Sequence, residues 1–147
     1  MAVVELEIPA RPAYLSLVRL VVDAAVGSLA PNLGGARLDD LKLAVTEACS
    51  NAIEAHQSAY SVDEPVMVRC ELDDQTVTVE VADRGGGFDP ADLSSLPAAT
   101  DPLRLRHESG LGIPLMRTLA DELVFEQATD GTTVRLTVYR AGSVPGK

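Results

Sequence analysis

The chain has 147 residues, 46% of them hydrophobic, and its formal net charge at pH 7 is −10. This length predicts a single domain over residues 1–147, and the hydrophobic content excludes a disordered chain. The acidic charge argues against direct binding to nucleic acid, whose phosphate backbone attracts basic surfaces. We find no membrane-spanning run and no signal peptide in the sequence, so we expect a cytoplasmic protein without membrane contact. Cys49 and Cys70 lie in separate apolar segments without metal-ligand spacing, which predicts reduced thiols in the core.

The first third of the chain predicts one strand and two helices. Apolar and acidic residues alternate from Val4 to Ile8, which is the period of a half-exposed strand. Pro12 suits the first turn of a helix, whose apolar residues recur at helical spacing until Gly27 and the stretch from Pro31 to Gly35 end it and form a loop. A second helix is predicted over residues 38–56. Its apolar stripe comprises Leu41, Ala44, Val45, Ala48, Ala52 and Ala55.

The rest of the sequence predicts two pairs of strands with one helix between the pairs. Strands over residues 66–72 and 76–83 flank the turn Asp73-Asp74-Gln75 and form a hairpin. Residues 88–109 carry three prolines without periodicity, which is typical of a functional lid. A helix from near Gly112 to about Ala120 follows, and two strands joined at Asp130-Gly131 end the fold. The expected fold is a two-layer α+β sandwich, with a mixed, mainly antiparallel sheet and its helices on one face.

Glu47 and Asn51 form the first candidate functional pair. They are four residues apart on the second helix and therefore share one face. An amide oxygen is a neutral ligand for Mg²⁺, and a carboxylate can orient or deprotonate a hydroxyl. A solvated polar helix face is the alternative interpretation of this pair when it is considered alone.

Two glycine-containing segments form the other candidate site elements. Asp83 ends an apolar strand and is followed by Gly85, Gly86 and Gly87, so a ligand could approach the backbone beside a rigidly held carboxylate. An ordinary glycine turn explains the same residues. Ser109, Gly110 and Gly112 stand just ahead of the third helix, where free amide groups could hold phosphate.

In this order, the three signals resemble the ATP site of the GHKL superfamily, which includes gyrase, Hsp90, histidine kinases and MutL. The resemblance implies that Mg²⁺ binds Asn51, adenine binds Asp83, and Glu47 is the catalytic base. Thr132, before the last strand, would lie beside Asp83 and the adenine. The remaining nucleotide contacts implied are Gly85, Gly87, Ser109, Gly110, Leu111 and Gly112.

Within that superfamily, the stretch TEACSNAIEAH is similar to the TEAVxNAIxH run of anti-sigma-factor serine kinases of the RsbW and SpoIIAB type, with His56 displaced by one residue. This resemblance implies a protein that binds a sigma factor and phosphorylates a STAS-domain anti-anti-sigma factor on serine or threonine. Arg19 aligns with a sigma-contacting arginine of these kinases. The resemblance also makes a homodimer through the first strand plausible.

One position departs from the kinase pattern. Glu108 stands where these kinases carry an arginine that reaches the terminal phosphate, although Arg104 or Arg106 could take its place. The main alternative is therefore a non-catalytic ATP-binding module that sequesters a sigma factor or STAS protein. A histidine kinase is disfavoured, because His56 and His107 both fall inside the ATP-binding domain.

Overall fold

The computed structural model describes residues 1–58, 63–84, 108–128 and 131–140. These residues contain five strands and three α-helices. In chain order they are β1 (Ala2–Ile8), α1 (Leu15–Leu29), α2 (Gly35–Ser58), β2 (Val66–Leu72), β3 (Thr76–Ala82), α3 (Glu108–Leu119), β4 (Glu122–Ala128) and β5 (Gly131–Tyr139).

The strands form one sheet in the order β1-β2-β3-β5-β4. All four pairings among the described strands are antiparallel, so the predicted mixed character of the sheet is not found in this part of the chain. The predicted hairpin between β2 and β3 is confirmed. The crossover from β3 to β5 pairs Ala82 with Thr133, and it therefore brings the end of β3 to the start of β5.

Apolar side chains on one face of the sheet pack against the helices. Alternate residues of β2 and β3 are buried on that face, as expected when one face of a sheet is covered and the other meets water. Helix α1 buries Val18, Val22 and Val26, and α2 buries Leu41 and Val45. This arrangement confirms the predicted α+β fold with its helices on one face.

Ion pairs cover the opposite face of the sheet. Arg69 on β2 lies 2.9 Å from Glu5 on β1 and 2.8 Å from Glu71. Arg135 on β5 likewise lies 2.8 Å from Glu80 on β3. These half-exposed charges remain solvated where they stand, which explains why the helices pack on the other face.

The helix boundaries differ from the predicted ones. Pro12 opens a short 3-10 turn, Pro12–Tyr14, and α1 begins after it. Gly27 does not end α1, which continues to Leu29. The helix ends before Pro31, because a proline disfavours helical backbone at the residue that precedes it. Gly34, with φ of 89°, supplies the left-handed backbone from which α2 starts, earlier than predicted.

Helix α1 and the turn before it form a longer apolar stretch than we expected from the sequence, in which we predicted no membrane-spanning run. The 18-residue stretch Pro12–Leu29 has a mean hydropathy of 1.4 and is long and apolar enough to cross a membrane by length and composition alone. Only 22% of it is buried. Because its buried residues recur on the side that faces the sheet, we interpret it as a packed surface helix with an apolar outer side.

Arg37, in the first turn of α2, contacts the C-terminal end of α3. Its Nη1 donates to the carbonyl of Leu119 at 3.3 Å, and its Nη2 lies 2.8 Å from the Asp121 carboxylate. Asp121 also accepts a hydrogen bond from the backbone N–H of Tyr139 at 2.7 Å. Helix α3 is thus held at its C-terminal end by α2 and β5.

Candidate functional site

Glu47 and Asn51 lie in the middle of α2, and both side chains are half-buried. Four residues of α-helix rise about 6 Å and rotate back to within about 40° of the starting direction. The two side chains therefore share one face, as their spacing predicts. Neither is in the core, so a ligand can reach both.

Asp83 follows β3 directly and is bound to β5 through Thr132. The backbone N–H of Asp83 donates to the carbonyl of Thr132 at 2.9 Å. The backbone N–H of Thr132 donates to Oδ1 of Asp83 at 3.3 Å. Thr132 is 2% exposed, so this pair forms a rigid, largely buried corner. The predicted proximity of Thr132 to Asp83 is confirmed.

Gly131 allows β5 to approach that corner. A Cβ at this position would lie 1.8 Å from the carbonyl oxygen of Asp83 and 2.9 Å from Cα of Arg84. No real side chain fits so close to backbone, so glycine is needed here for space. The sequence predicted a turn at Asp130-Gly131, and it carried no signal for this contact because the approach is between two separate strands.

His56 is a further polar residue beside the corner that the spacing argument missed. It is fully buried, and its Nε2 accepts a hydrogen bond from the backbone N–H of Arg84 at 2.8 Å. The apolar stripe predicted for α2 included Ala55 instead, which is half-buried. The site-facing end of α2 is therefore joined to the residue that follows Asp83.

Helix α3 begins at Glu108, four residues before its predicted start near Gly112. Ser109, Gly110 and Leu111 consequently lie in the first turn of the helix and not in a loop ahead of it. The amide groups of a first turn have no acceptor within the helix, so an anion-binding role is compatible with this change. Glu108 and Ser109, which were predicted to end the lid, therefore belong to helix α3.

Several predicted residues lie outside the described part of the chain. They are Gly85, Gly87, Arg104 and Arg106, together with residues 88–107 of the predicted lid. Arg19 is described, and it lies on the exposed side of α1. It belongs to a surface separate from the corner formed by α2, β3 and β5.

Mg²⁺ commonly keeps several waters and binds one or two protein groups together with phosphate oxygens. Among residues 1–58, 63–84, 108–128 and 131–140, no group of three or more His, Cys, Asp or Glu side chains could hold a metal ion. A single amide ligand such as Asn51 fits a metal that is carried by a nucleotide, and it needs no protein cage.

Residues 8–138 match a family described as the histidine kinase-like ATPase domain. This chain belongs to the histidine kinase-like ATPase family. Membership implies that the corner of α2, β3 and β5 is part of an ATP-binding domain. The match begins at the end of β1 and ends one residue before the end of β5, so it includes every element that carries a candidate site residue.

Curated relatives within this family are called serine-protein kinase RsbW. The protein from Bacillus pumilus (strain SAFR-032) is 37% identical over 143 residues, which cover 92% of this chain and 85% of the relative. The protein from Bacillus subtilis (strain 168) is 35% identical over 145 residues, covering 95% of this chain and 86% of the relative.

Two solved structures share the fold. The RsbU and RsbW domains of a Mycobacterium tuberculosis protein superpose with a TM-score of 0.69 at 19% identity, covering 97% of this chain and 34% of that longer chain. The SiaB–SiaC complex from Pseudomonas aeruginosa gives a TM-score of 0.65 at 12% identity, covering 92% of this chain and 88% of that chain. At these identities the likeness concerns the fold alone, and it agrees with the predicted GHKL architecture.

Proposed function

We propose that this protein is an anti-sigma factor and an ATP-dependent serine/threonine kinase. It binds a sigma factor, and it phosphorylates a STAS-domain anti-anti-sigma factor on a serine or threonine. The observation that carries the proposal is the identity of 35% to the serine-protein kinase RsbW of Bacillus subtilis over 95% of the chain. Such a kinase would work in the cytoplasm, where sigma factors act.

Asp83 and Thr132 are the groups proposed to recognise adenine. A carboxylate has lone pairs in about four directions, so it can accept from more than one donor, here the Thr132 amide and the proposed amino group of a base. Gly85 and Gly87 would let the nucleotide pass close to the backbone. The first turn of α3, with Ser109 and Gly110, would hold phosphate oxygens through its amide groups and its positive end.

Glu47 and Asn51 are proposed to act on the two sides of the transferred phosphoryl group. Asn51 would offer its amide oxygen to Mg²⁺, which when bound neutralises phosphate charge and ties the phosphates to the protein. Glu47 would accept the proton of the incoming hydroxyl at its carboxylate. Phosphoryl transfer depends mainly on positioning and charge neutralisation, and one carboxylate near the incoming hydroxyl completes the proposed set.

The outer side of α1 is proposed to bind the sigma factor. Arg19 is exposed there beside Leu20, whose side chain is 66% exposed, and Leu17 is also exposed. Exposed apolar side chains next to an arginine are typical of the central part of a protein interface. β1 lies at one edge of the sheet, and that edge would serve a homodimer by strand pairing.

The non-catalytic module remains a distinct hypothesis with one observation in its favour. Glu108 places a carboxylate where related kinases carry an arginine, and a carboxylate repels phosphate. The relatives' description as serine-protein kinases favours catalysis. The two hypotheses differ in one measurable step, the transfer of phosphate to a protein.

The test is phosphate transfer from labelled ATP to STAS-domain proteins encoded in the same genome. Wild type should label at least one of them on serine or threonine. Glu47→Ala should keep Mg-ATP affinity and lose transfer by about a hundredfold or more, the usual scale for a general base. Asn51→Ala should lose both binding and transfer.

Two controls make this test decisive. Glu47→Ala should still bind the sigma factor, because that contact is proposed on α1, whereas Arg19→Glu should weaken sigma binding without changing ATP affinity. If folded wild type binds ATP and sigma factor but labels no STAS protein, the non-catalytic module is correct. Glu108→Arg would then be the variant to test for restored transfer.

A further inference from the structure

We propose that His56 is a positioning residue for the adenine end of the nucleotide site. Its buried imidazole ties α2 to the chain immediately after Asp83, and so sets the distance between the adenine-binding carboxylate and the phosphate-binding face of α2. The inference rests on the proposed ATP site. It assigns a role in nucleotide binding to a histidine outside the residues proposed to contact ATP.

The hydrogen bond that carries the inference has a defined direction. The backbone N–H of Arg84 can only donate, so Nε2 of His56 must accept with a lone pair. The N–Nε2 distance is 2.8 Å, which is a well-formed hydrogen bond. The imidazole is therefore the neutral tautomer that carries its proton on Nδ1. A phenyl ring in its place would leave the Arg84 amide without this acceptor.

The position of Arg84 makes this bond relevant to nucleotide binding. β3 ends at Ala82, and Asp83 is held to β5 by its two hydrogen bonds with Thr132. Those bonds hold Asp83 to the sheet. The bond from the Arg84 amide to His56 holds the next residue to helix α2, so the backbone cannot rotate at Asp83 without breaking either the bonds to Thr132 or the bond to His56.

The position of His56 along α2 explains how its hydrogen bond to Arg84 would affect the nucleotide site. His56 lies five residues after Asn51 and nine after Glu47, which turns it about 140° from Asn51 and about 180° from Glu47. One face of the helix thus serves the phosphates, while another face holds the adenine end of the site. A rigid helix carrying both sets their separation, as preorganised sites require.

The experiment compares Mg-ATP binding by calorimetry in wild type, His56→Phe and His56→Gln. The phenyl ring preserves size and planarity but removes the acceptor, and we expect roughly tenfold weaker binding from the loss of the hydrogen bond to the Arg84 amide. The amide oxygen of the introduced glutamine reaches about as far as Nε2, so His56→Gln should restore binding to within about threefold of wild type. Leu41→Val, a buried change about 22 Å along the same helix, controls for general loss of stability and should bind like wild type.

Measurements on the unsubstituted protein test the bond itself. In ¹⁵N NMR, Nε2 of His56 should show the shift of an unprotonated acceptor and a scalar coupling to the Arg84 amide. Both signals should move when Mg-ATP is added. Absence of that coupling overturns the proposal even if His56→Phe fails to fold, as does a folded His56→Phe that binds Mg-ATP like wild type. Failure of wild type to bind Mg-ATP would instead overturn the proposed function.

Discussion

Asp83 illustrates how one residue can serve both the fold and the proposed site. Its backbone continues the pairing of β3 with β5, while its carboxylate accepts from Thr132 and is proposed to accept from adenine as well. The local strand pattern predicted a carboxylate at a strand end, and the family resemblance implied that Thr132 lies beside it. The sequence did not predict His56 or the need for Gly131, since both contacts are between separate elements.

The charge of Asp83 should matter for nucleotide binding more than for folding. Asp83→Asn retains an oxygen that can accept from Thr132, but it loses the charged partner for an adenine amino group. We expect Mg-ATP binding to weaken by about 1–3 kcal/mol, measured by calorimetry. Asp74→Asn, in the exposed turn before β3, is the matched control. Unchanged affinity in a folded Asp83→Asn protein would remove Asp83 from the adenine site.

Two glycines should respond oppositely to alanine. Gly131→Ala places a methyl group against the carbonyl of Asp83, so β3 and β5 must separate, and we expect a loss of about 1–3 kcal/mol in the free energy of unfolding. Gly27→Ala meets nothing within 4 Å and should stabilise α1 by up to about 1 kcal/mol. Urea denaturation measures both. Equal stability of the two variants would contradict the close approach.

At the level of elements, the hairpin between β2 and β3 is closed by Asp73. Its Oδ1 accepts from the backbone N–H groups of Gln75 at 2.8 Å and Thr76 at 2.7 Å. The pKa of Asp73 is lowered, first by the Gln75 amide and then by that of Thr76. The residue types of the turn predicted a hairpin, and the structure adds the carboxylate that closes it.

Removing that carboxylate should destabilise the hairpin in a pH-dependent way. Asp73→Ala should lower the free energy of unfolding at neutral pH by about 0.5–1 kcal/mol, a small value because the group is exposed. Because the folded-state pKa is depressed, this contribution is present above pH 3.8, the usual carboxylate value, and is lost as pH falls through the lower folded pKa. Urea denaturation at pH values from 7 to 2 should therefore show a shrinking difference in the free energy of unfolding between wild type and Asp73→Ala. A difference that stays constant over this range would contradict the role of the Asp73 carboxylate. Asp74→Ala is the control.

The helices show which boundaries a sequence pattern predicts poorly. Apolar spacing placed α1, α2 and α3 in the correct segments, yet each begins or ends several residues away from its predicted limit. Pro31 and Gly34 decide the connection between α1 and α2 through backbone geometry. The first turn of α3 lacks a distinctive apolar pattern, whereas the later residues Ile113 and Met116 lie in the core, so the spacing indicates the body of the helix better than its start.

At the scale of the whole molecule, the core between sheet and helices contains both cysteines as free thiols. Burial raises the pKa of Cys49 to about 12, with a smaller contribution from Cys70, whose own pKa burial raises to about 11. A thiol in this state reacts slowly, because the thiolate is the nucleophile. The predicted reduced core thiols are confirmed as buried residues.

Thiol chemistry should therefore report on global unfolding. With a disulfide reagent at pH 8, native protein should label at the rate of unfolding, and urea should accelerate labelling of both cysteines together. Rapid labelling of the native protein would contradict the burial.

The Cys49 thiol should also make stability depend on pH in alkali. Because its folded-state pKa is raised, its contribution to the free energy of unfolding is complete below pH 9.0 and is lost as pH rises toward about 12. The difference in the free energy of unfolding between wild type and Cys49→Ala should therefore become smaller as pH rises through this range.

The sequence by itself determined the class of fold, the faces of its strands and helices, and the pairing of Glu47 with Asn51. These features follow from local periodicity, because a period of two or of 3.6 residues decides which side chains share a face. The tertiary structure decided the contacts between the elements that carry the candidate site. His56 and Arg84 are 28 residues apart, and Asp83 and Thr132 are 49 apart, so their distances depend on how helices and strands pack, which no local pattern encodes.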